Sequence, residues 1–104
     1  MKNQKFGVEI ELTGITRRDA AKVIADYFET TSTYEGTGYN KYSVRDRDGR
    51  KWTAMYDSSI DARDKNDNRL SDEYKCELVT PILGWDDIET LQEIVRLLRK
   101  NGAI

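Results

Sequence analysis

Phe6-Gly7-Val8-Glu9-Ile10-Glu11-Leu12 alternates apolar and small or acidic residues without a break. A period of two is the mark of a strand with one buried face. Phe6, Val8, Ile10 and Leu12 therefore point one way, and Gly7, Glu9 and Glu11 the other. The two carboxylates then stand about 6.5–7 Å apart along the strand, a spacing that suits a shared divalent cation. The plainer alternative is a half-buried strand whose outer face carries two solvated glutamates.

A second stretch has the same character. Tyr74-Lys75-Cys76-Glu77-Leu78-Val79-Thr80-Pro81 is another short alternating strand, with one carboxylate among apolar neighbours and a proline that stops it. Between and beyond these two strands the chain supplies the remaining elements. Leu12-Thr13-Gly14-Ile15 closes the first strand, and Thr16-Arg17-Arg18-Asp19 opens a helix as a capping-box variant. Ala20, Val23, Ile24, Tyr27 and Phe28 form its buried stripe, ending near Glu29, while Arg17, Arg18, Lys22 and Asp26 make a solvated face. Residues 30 to 38 read as extended chain and turn, with a short strand at Thr33 to Glu35. Gly36 and Gly38 lack the lysine and the following helix of a phosphate loop, so they read as turn glycines.

Tyr39 to Arg45 and Lys51 to Asp57 make a hairpin across Asp46-Arg47-Asp48-Gly49, with Gly49 supplying a positive φ. Tyr42 and Val44 share a face with Trp52, Ala54 and Tyr56; Lys41, Ser43, Arg45, Lys51, Thr53 and Met55 share the other. Residues 39 to 52 hold five basic and two acidic side chains with Tyr39, Tyr42 and Trp52 interleaved. Lys41, Arg45, Arg47, Arg50, Lys51 and Trp52 are accordingly candidates for gripping phosphates or an acidic protein surface. A solvated edge hairpin whose charges deter aggregation is the competing reading. Residues 57 to 73 then carry six acids and three bases with no periodicity, a loop able to mimic acidic phosphates.

After Pro81 and Gly84, Asp86-Asp87-Ile88-Glu89 opens a second helix with capping-box spacing. Its core stripe is Ile88, Leu91, Ile94, Val95 and Leu98. Arg96, Arg99 and Lys100 complement its C-terminal dipole, and Gly102 ends it. The expected fold is α+β: an antiparallel sheet of about four strands with two helices packed on one face, in a single small domain over residues 1–104.

FGVEIEL, the segment Tyr56-Asp57-Ser58-Ser59-Ile60 and CELVTPIL followed by a helix resemble the N-terminal half of the amidoligase family. These are relatives of the carboxylate–amine ligases that include glutamine synthetase, and the resemblance covers nearly all of the chain. It implies an antiparallel-sheet ligase that binds ATP and Mg or another divalent metal, and that joins a carboxylate to an amine through an acyl phosphate. It assigns metal or nucleotide roles to Glu9, Glu11 and Glu77, with Asp57 as a weaker candidate. Members of that family run on into a further strand and a histidine-containing motif, whereas this sequence contains no histidine.

Composition bounds the remaining possibilities. At 35% charged and 38% apolar, the 104 residues make a protein with a thin core. A net charge of −2 excludes a general nucleic-acid or membrane role, so any such role must be local. Cys76 is the one cysteine, which rules out a disulfide frame, a zinc set and a Cys/His nucleophile pair; it reads as a buried, inert thiol. The absence of a signal peptide or long apolar run points to the cytoplasm, that of a host bacterial cell on the inhibitor reading below.

Three functions are open at this stage, the third in order being a metal- or nucleotide-binding accessory domain. Capped helices and a glycine-closed end read as a short natural protein that keeps the fold and has lost the reaction, with no catalytic residue and no cofactor. The function expected for such a chain is inhibition by binding. Size and paired charge patches resemble the inhibitors that phages and plasmids carry against defence nucleases, anti-CRISPR proteins among them. The acidic loop would meet the RNA channel of a type II CRISPR effector nuclease, and the basic hairpin its guide RNA. The alternative is the front half of an ATP-dependent amidoligase. Oligomeric state is not legible.

Overall fold

The computed structural model describes residues 5–36, 38–57, 66 and 74–104. Along the chain these form β1 (Lys5–Phe6), β2 (Glu9–Leu12), α1 (Arg17–Tyr27), β3 (Ser32–Tyr34), β4 (Tyr42–Arg45), β5 (Lys51–Tyr56), β6 (Cys76–Val79), β7 (Leu83–Gly84) and α2 (Ile88–Lys100). A 3-10 turn at Trp85–Asp87 leads into α2. Among the described residues five strands make an antiparallel sheet in the order β2-β6-β5-β4-β3, and β1 pairs with β7 as a separate two-stranded ribbon. The fold is the expected α+β arrangement, with five strands in the main sheet where the sequence suggested about four.

The opening stretch is not one strand. Its alternation of exposed and buried side chains persists from Lys5 to Leu12, but the ladder breaks at Gly7-Val8. There the Val8 N–H donates to Thr80 Oγ1 at 2.9 Å while the Thr80 N–H donates to the Val8 carbonyl at 2.9 Å. A side-chain hydroxyl thus takes the place of a backbone acceptor, and the chain passes from one sheet to the other. The ribbon partner, β7, carries no alternation long enough to be read from two residues.

Core-facing side chains run across the sheet in register. Val44 pairs with Trp52, Ala54 with Leu78, and Leu78 with Ile10. Against them lie Ala20, Ile24 and Phe28 of α1 and Ile94 and Leu98 of α2, all buried. α1 crosses β3, β4 and β5, and α2 packs beside it. Trp52 is 1% exposed and sits 5.6 Å, ring to ring, from Phe28. Truncating a buried aromatic of this kind costs about 3–5 kcal/mol.

The helix ends follow local chemistry. Thr16 caps α1, its hydroxyl accepting from the Asp19 N–H at 3.1 Å, as the sequence suggested. Asp87 departs from expectation: its carboxylate accepts from the Gly84 N–H at 2.8 Å, so it caps the 3-10 turn and leaves α2 to begin at Ile88. Gly102, at φ 110°, closes α2, and the Ile104 N–H then donates to the Thr13 carbonyl at 2.8 Å, pinning this end of the chain to the turn after β2.

The sheet's other face has no helix against it among the described residues. It bears Glu9, Glu11, Glu77, Val79, Thr53, Met55, Ser43, Thr33, Arg45 and Lys51, placed there by the strand period and the register.

Candidate active-site face

Five residues, one from each strand, stand in a row across the open face: Thr33, Ser43, Thr53, Val79 and Glu9. A parallel row places Met55, Glu77 and Glu11 side by side. Glu77 thus faces Glu11 directly and Glu9 diagonally, at the β2–β6 edge of the sheet. Like charges opposed across strands are destabilising, so this edge is maintained against its own electrostatics.

The effect is visible in Glu77. Its carboxyl is held above the usual carboxylate range first by partial burial, then by the charges of Glu9 and Asp57, by a hydrogen bond shared with the Glu9 carboxylate, and by Glu11. Asp57 immediately follows β5, whose Tyr56 pairs with Cys76, so the strand order delivers the fourth acid to the same edge. The sequence-derived set Glu9, Glu11 and Glu77, with Asp57, is therefore brought together by the fold.

What such a set can hold follows from its donors. Among the described residues no group of three or more acidic, histidine or cysteine side chains is arranged as a ready-made metal cage. Mg2+ seldom uses one: it keeps several waters and takes one or two carboxylates plus phosphate oxygens. Glu9 and Glu77, hard oxygen donors diagonal to each other on adjacent strands, fit that requirement, and Glu11 and Asp57 add negative field around them.

The basic hairpin is arranged differently from the sequence expectation. Trp52 lies inside the core, its Nε1–H donating to Asp46 at 3.0 Å, so it offers no ring to a partner. Arg50 is committed internally: its Nε donates to Asp46 at 2.9 Å and its two terminal nitrogens to Asp87 at 2.8 and 3.0 Å. Lys51 pairs with Glu35 at 2.8 Å, and Arg45 donates to the Gly49 carbonyl at 3.0 Å. Arg47 reaches Tyr27 O and Glu29 while remaining exposed, and Lys41 lies over the Tyr39 ring, 5.7 Å from its centroid. Alternation alone could have removed Trp52 from the binding set, since it shares a face with Val44 and Ala54. Nothing local could have revealed Asp87 as the partner of Arg50, 37 residues away.

Asp46 was read only as a turn residue, yet it organises the hairpin tip. Its side chain is 2% exposed and accepts from the Asp48 and Arg50 N–H groups, Arg50 Nε and Trp52 Nε1. Burial acts to raise its pKa, but these donors and the Arg50 charge outweigh it and hold the carboxyl below the usual range. Arg17, expected on a solvated face, instead donates to the Lys75 carbonyl at 3.0 Å and lies over Tyr56, tying α1 to the approach to β6. The acidic loop of residues 57 to 73 lies outside the described residues except at Asp57 and Asn66. No helix among the described residues is long and apolar enough to cross a membrane.

Comparison with known families decides what this sheet is. A model of the family described as "Putative amidoligase enzyme" matches residues 2–104. The chain belongs to the amidoligase family. The match takes in both carboxylate strands, the hairpin and both helices. Searches of curated proteins and of solved structures returned no match.

Proposed function

We propose that this chain supplies the carboxylate-lined half of an ATP-dependent carboxylate–amine ligase site. The observation that carries the reading is the convergence of Glu9, Glu77, Glu11 and Asp57 on a sheet face that no helix covers among the described residues, with the Glu77 carboxyl held above its usual range by partial burial and by the charges of the other three. Like charges held together at such cost cluster at functional sites, and a bound cation is one partner that relieves the repulsion.

In this reading Glu9 and Glu77 hold Mg2+, and Glu11 and Asp57 set the field around it. When bound, the ion would neutralise the oxygens of the transferring phosphoryl group of ATP. The chain's own contribution is rigid placement: β2 and β6 are hydrogen-bonded over four residue pairs, so the carboxylates are positioned by backbone ladder rather than by a loop. The reaction in this reading is the one the amidoligase resemblance implies: a substrate carboxylate takes the γ-phosphoryl group of ATP with release of ADP, and an amine, losing a proton, then displaces phosphate from the acyl carbon. No histidine is available to this chain as a general base.

Paramagnetic relaxation with Mn2+ tests the reading without requiring turnover. Residues 9–11, 55 and 77–79 should broaden first, and Glu9→Gln with Glu77→Gln should abolish the effect. Uniform broadening, or broadening unchanged in the double variant, would refute it.

The inhibitor reading, an anti-CRISPR protein acting on an effector nuclease or guide RNA, now rests on Lys41, Arg45 and Arg47, with Lys51 shared with Glu35. We rank it second, because Trp52 and Arg50 serve the fold. Inhibition of a type II nuclease that weakens steeply with salt and disappears in the Lys41, Arg45, Arg47 triple alanine variant would reverse that order.

A further inference from the structure

At the opposite end of the open face from the acid edge, Thr33, Ser43, Arg45, Lys51 and Glu35 line a pocket. Arg45 and Lys51 are directly paired across β4 and β5, so two like charges stand side by side on one face. Such a cross-strand pair is destabilising by itself. Lys51 is offset here by a carboxylate from outside the two strands, which leaves the Arg45 charge in place. Glu35, just beyond β3, accepts from Lys51 Nζ at 2.8 to 3.0 Å and from the Ser43 hydroxyl, and its carboxyl is held below the usual range by those two bonds.

The neutralisation is incomplete. Glu35 meets Lys51 in direct contact and Lys41 further off, and among the described residues Arg45 makes a single hydrogen bond, to the Gly49 carbonyl, with a guanidinium that has five N–H donors. Ser43 is 9% exposed and fixed in the sheet, so its hydroxyl is a positioned donor. Glu35 directly follows β3, its N–H donating to the Lys41 carbonyl at 2.8 Å, and is followed by Gly36 at φ 64°, whereas Ser43, Arg45 and Lys51 belong to the paired strands. The cradle is therefore part of the sheet, and the carboxylate now in it comes from the turn end of the β3–β4 pair.

We propose that Arg45, Lys51 and Ser43 form an oxyanion-binding subsite in which Glu35 stands as an internal occupant that an incoming carboxylate or phosphate displaces. Arg45 and Lys51 supply the charge, Ser43 the fixed hydrogen bond, and Arg45 the unused donors that make an external oxyanion a better fit than Glu35. The subsite is separated from Glu9 by three strand spacings along the row Ser43, Thr53, Val79, Glu9, about 14 Å. A ligand engaging both ends is thus extended, longer than a free amino acid. The subsite itself does not depend on the cation reading of the acid edge.

The experiment is a metal-free titration of the 104-residue chain with inorganic phosphate and, separately, with acetate. Ionic strength is held constant with chloride, and binding is read from the Arg45 Nε–H and Ser43 amide resonances. Wild type should show saturable shifts at both, Arg45→Ala and Lys51→Ala should lose them, and Arg96→Ala on α2 should leave them unchanged. Glu35→Gln should tighten binding by about fivefold or more, because it removes a competing unit charge at contact distance. Tighter phosphate than acetate identifies a phosphoryl ligand, and the reverse a carboxylate. Absence of a saturable shift at Arg45 in wild type and Glu35→Gln alike, or a Glu35→Gln affinity no tighter than wild type, overturns the proposal.

Discussion

Arg50 and Asp87 meet through two parallel hydrogen bonds of 2.8 and 3.0 Å, joining the tip of the β4–β5 hairpin to the turn that starts α2. The same guanidinium donates to the buried Asp46, which in turn holds Trp52. One arginine therefore ties the hairpin, the core aromatic and the second helix together. Both partners raise its already high pKa, so it stays charged at every accessible pH.

Arg50→Ala should cost about 2–3 kcal/mol, since it leaves the buried Asp46 carboxylate without its charge partner, while Arg50 itself and Asp87 are partly solvated. For a chain of this size that is a fall in Tm of roughly 10–20 °C. Arg50→Lys should recover only part of it, because an ammonium cannot reproduce the fork. Arg47→Ala, on the same hairpin but exposed, should stay within about 0.5 kcal/mol. Thermal melts of the three variants check the ranking.

The same network fixes the acid limb of stability. Asp87 is held below its ordinary 3.8 by Arg50 and the Gly84 N–H, and Asp46 by its donors despite burial. Folded values below unfolded ones mean that the stabilisation is complete above about pH 4 and is lost as pH falls through the folded values. Glu77 runs the other way: with its folded pKa above 4.5, stability rises as pH falls through that raised value. Tm should therefore peak on the mildly acidic side, drop steeply below pH 4, and lose the rise from neutral pH in Glu77→Gln.

Gly14 and Gly102 give a third test. A Cβ on Gly14 would lie 2.4 Å from the Gly102 carbonyl oxygen, and both residues have positive φ. Gly49 has the same φ as Gly14, 79°, with open space around it. Gly49→Ala should cost about 1 kcal/mol for the backbone alone. Gly14→Ala should cost at least about 2 kcal/mol more, because backbone must move. Equal losses in urea melts would show that the α2 terminus yields freely.

Cys76 is fully buried, and burial pushes its thiol up to about 12. Since only the thiolate attacks, a disulfide reagent should label it no faster than the sheet opens. Labelling rates that rise in step with the loss of stability in Arg50→Ala and Gly14→Ala would confirm that the thiol reports global opening; fast labelling of wild type would contradict its place in β6.

Legibility in the sequence tracked the range of the interaction. β4, β5, β6 and both helices follow from side-chain period and caps a few residues long, and the register then carries Glu9, Glu11 and Glu77 to one edge. The break at Gly7-Val8 depends on Thr80, and the role of Arg50 depends on Asp87; neither partner lies within any local window. Exposure was misjudged where composition outweighed alternation, as at Trp52, whose place in a basic segment suggested binding while its strand position already put it with Val44.

The cation site makes the final prediction, and its sign depends on the metal. Without divalent ions Glu77→Gln should be neutral or stabilising, because it removes a charge repelled by Glu9, Glu11 and Asp57. With Mg2+ the order should reverse. An ion that binds only the folded chain stabilises it by RT ln(1 + [L]/Kd), about 1.4 kcal/mol at a concentration ten times Kd, or roughly 6–11 °C in Tm. Wild type should gain this and Glu77→Gln should not, while Glu35→Gln, at the other end of the face, should gain as much as wild type. Melting curves of the three proteins across a Mg2+ series at pH 7.5 measure it. A Mg2+ gain equal in wild type and Glu77→Gln would show that the acid edge is not where the ion binds.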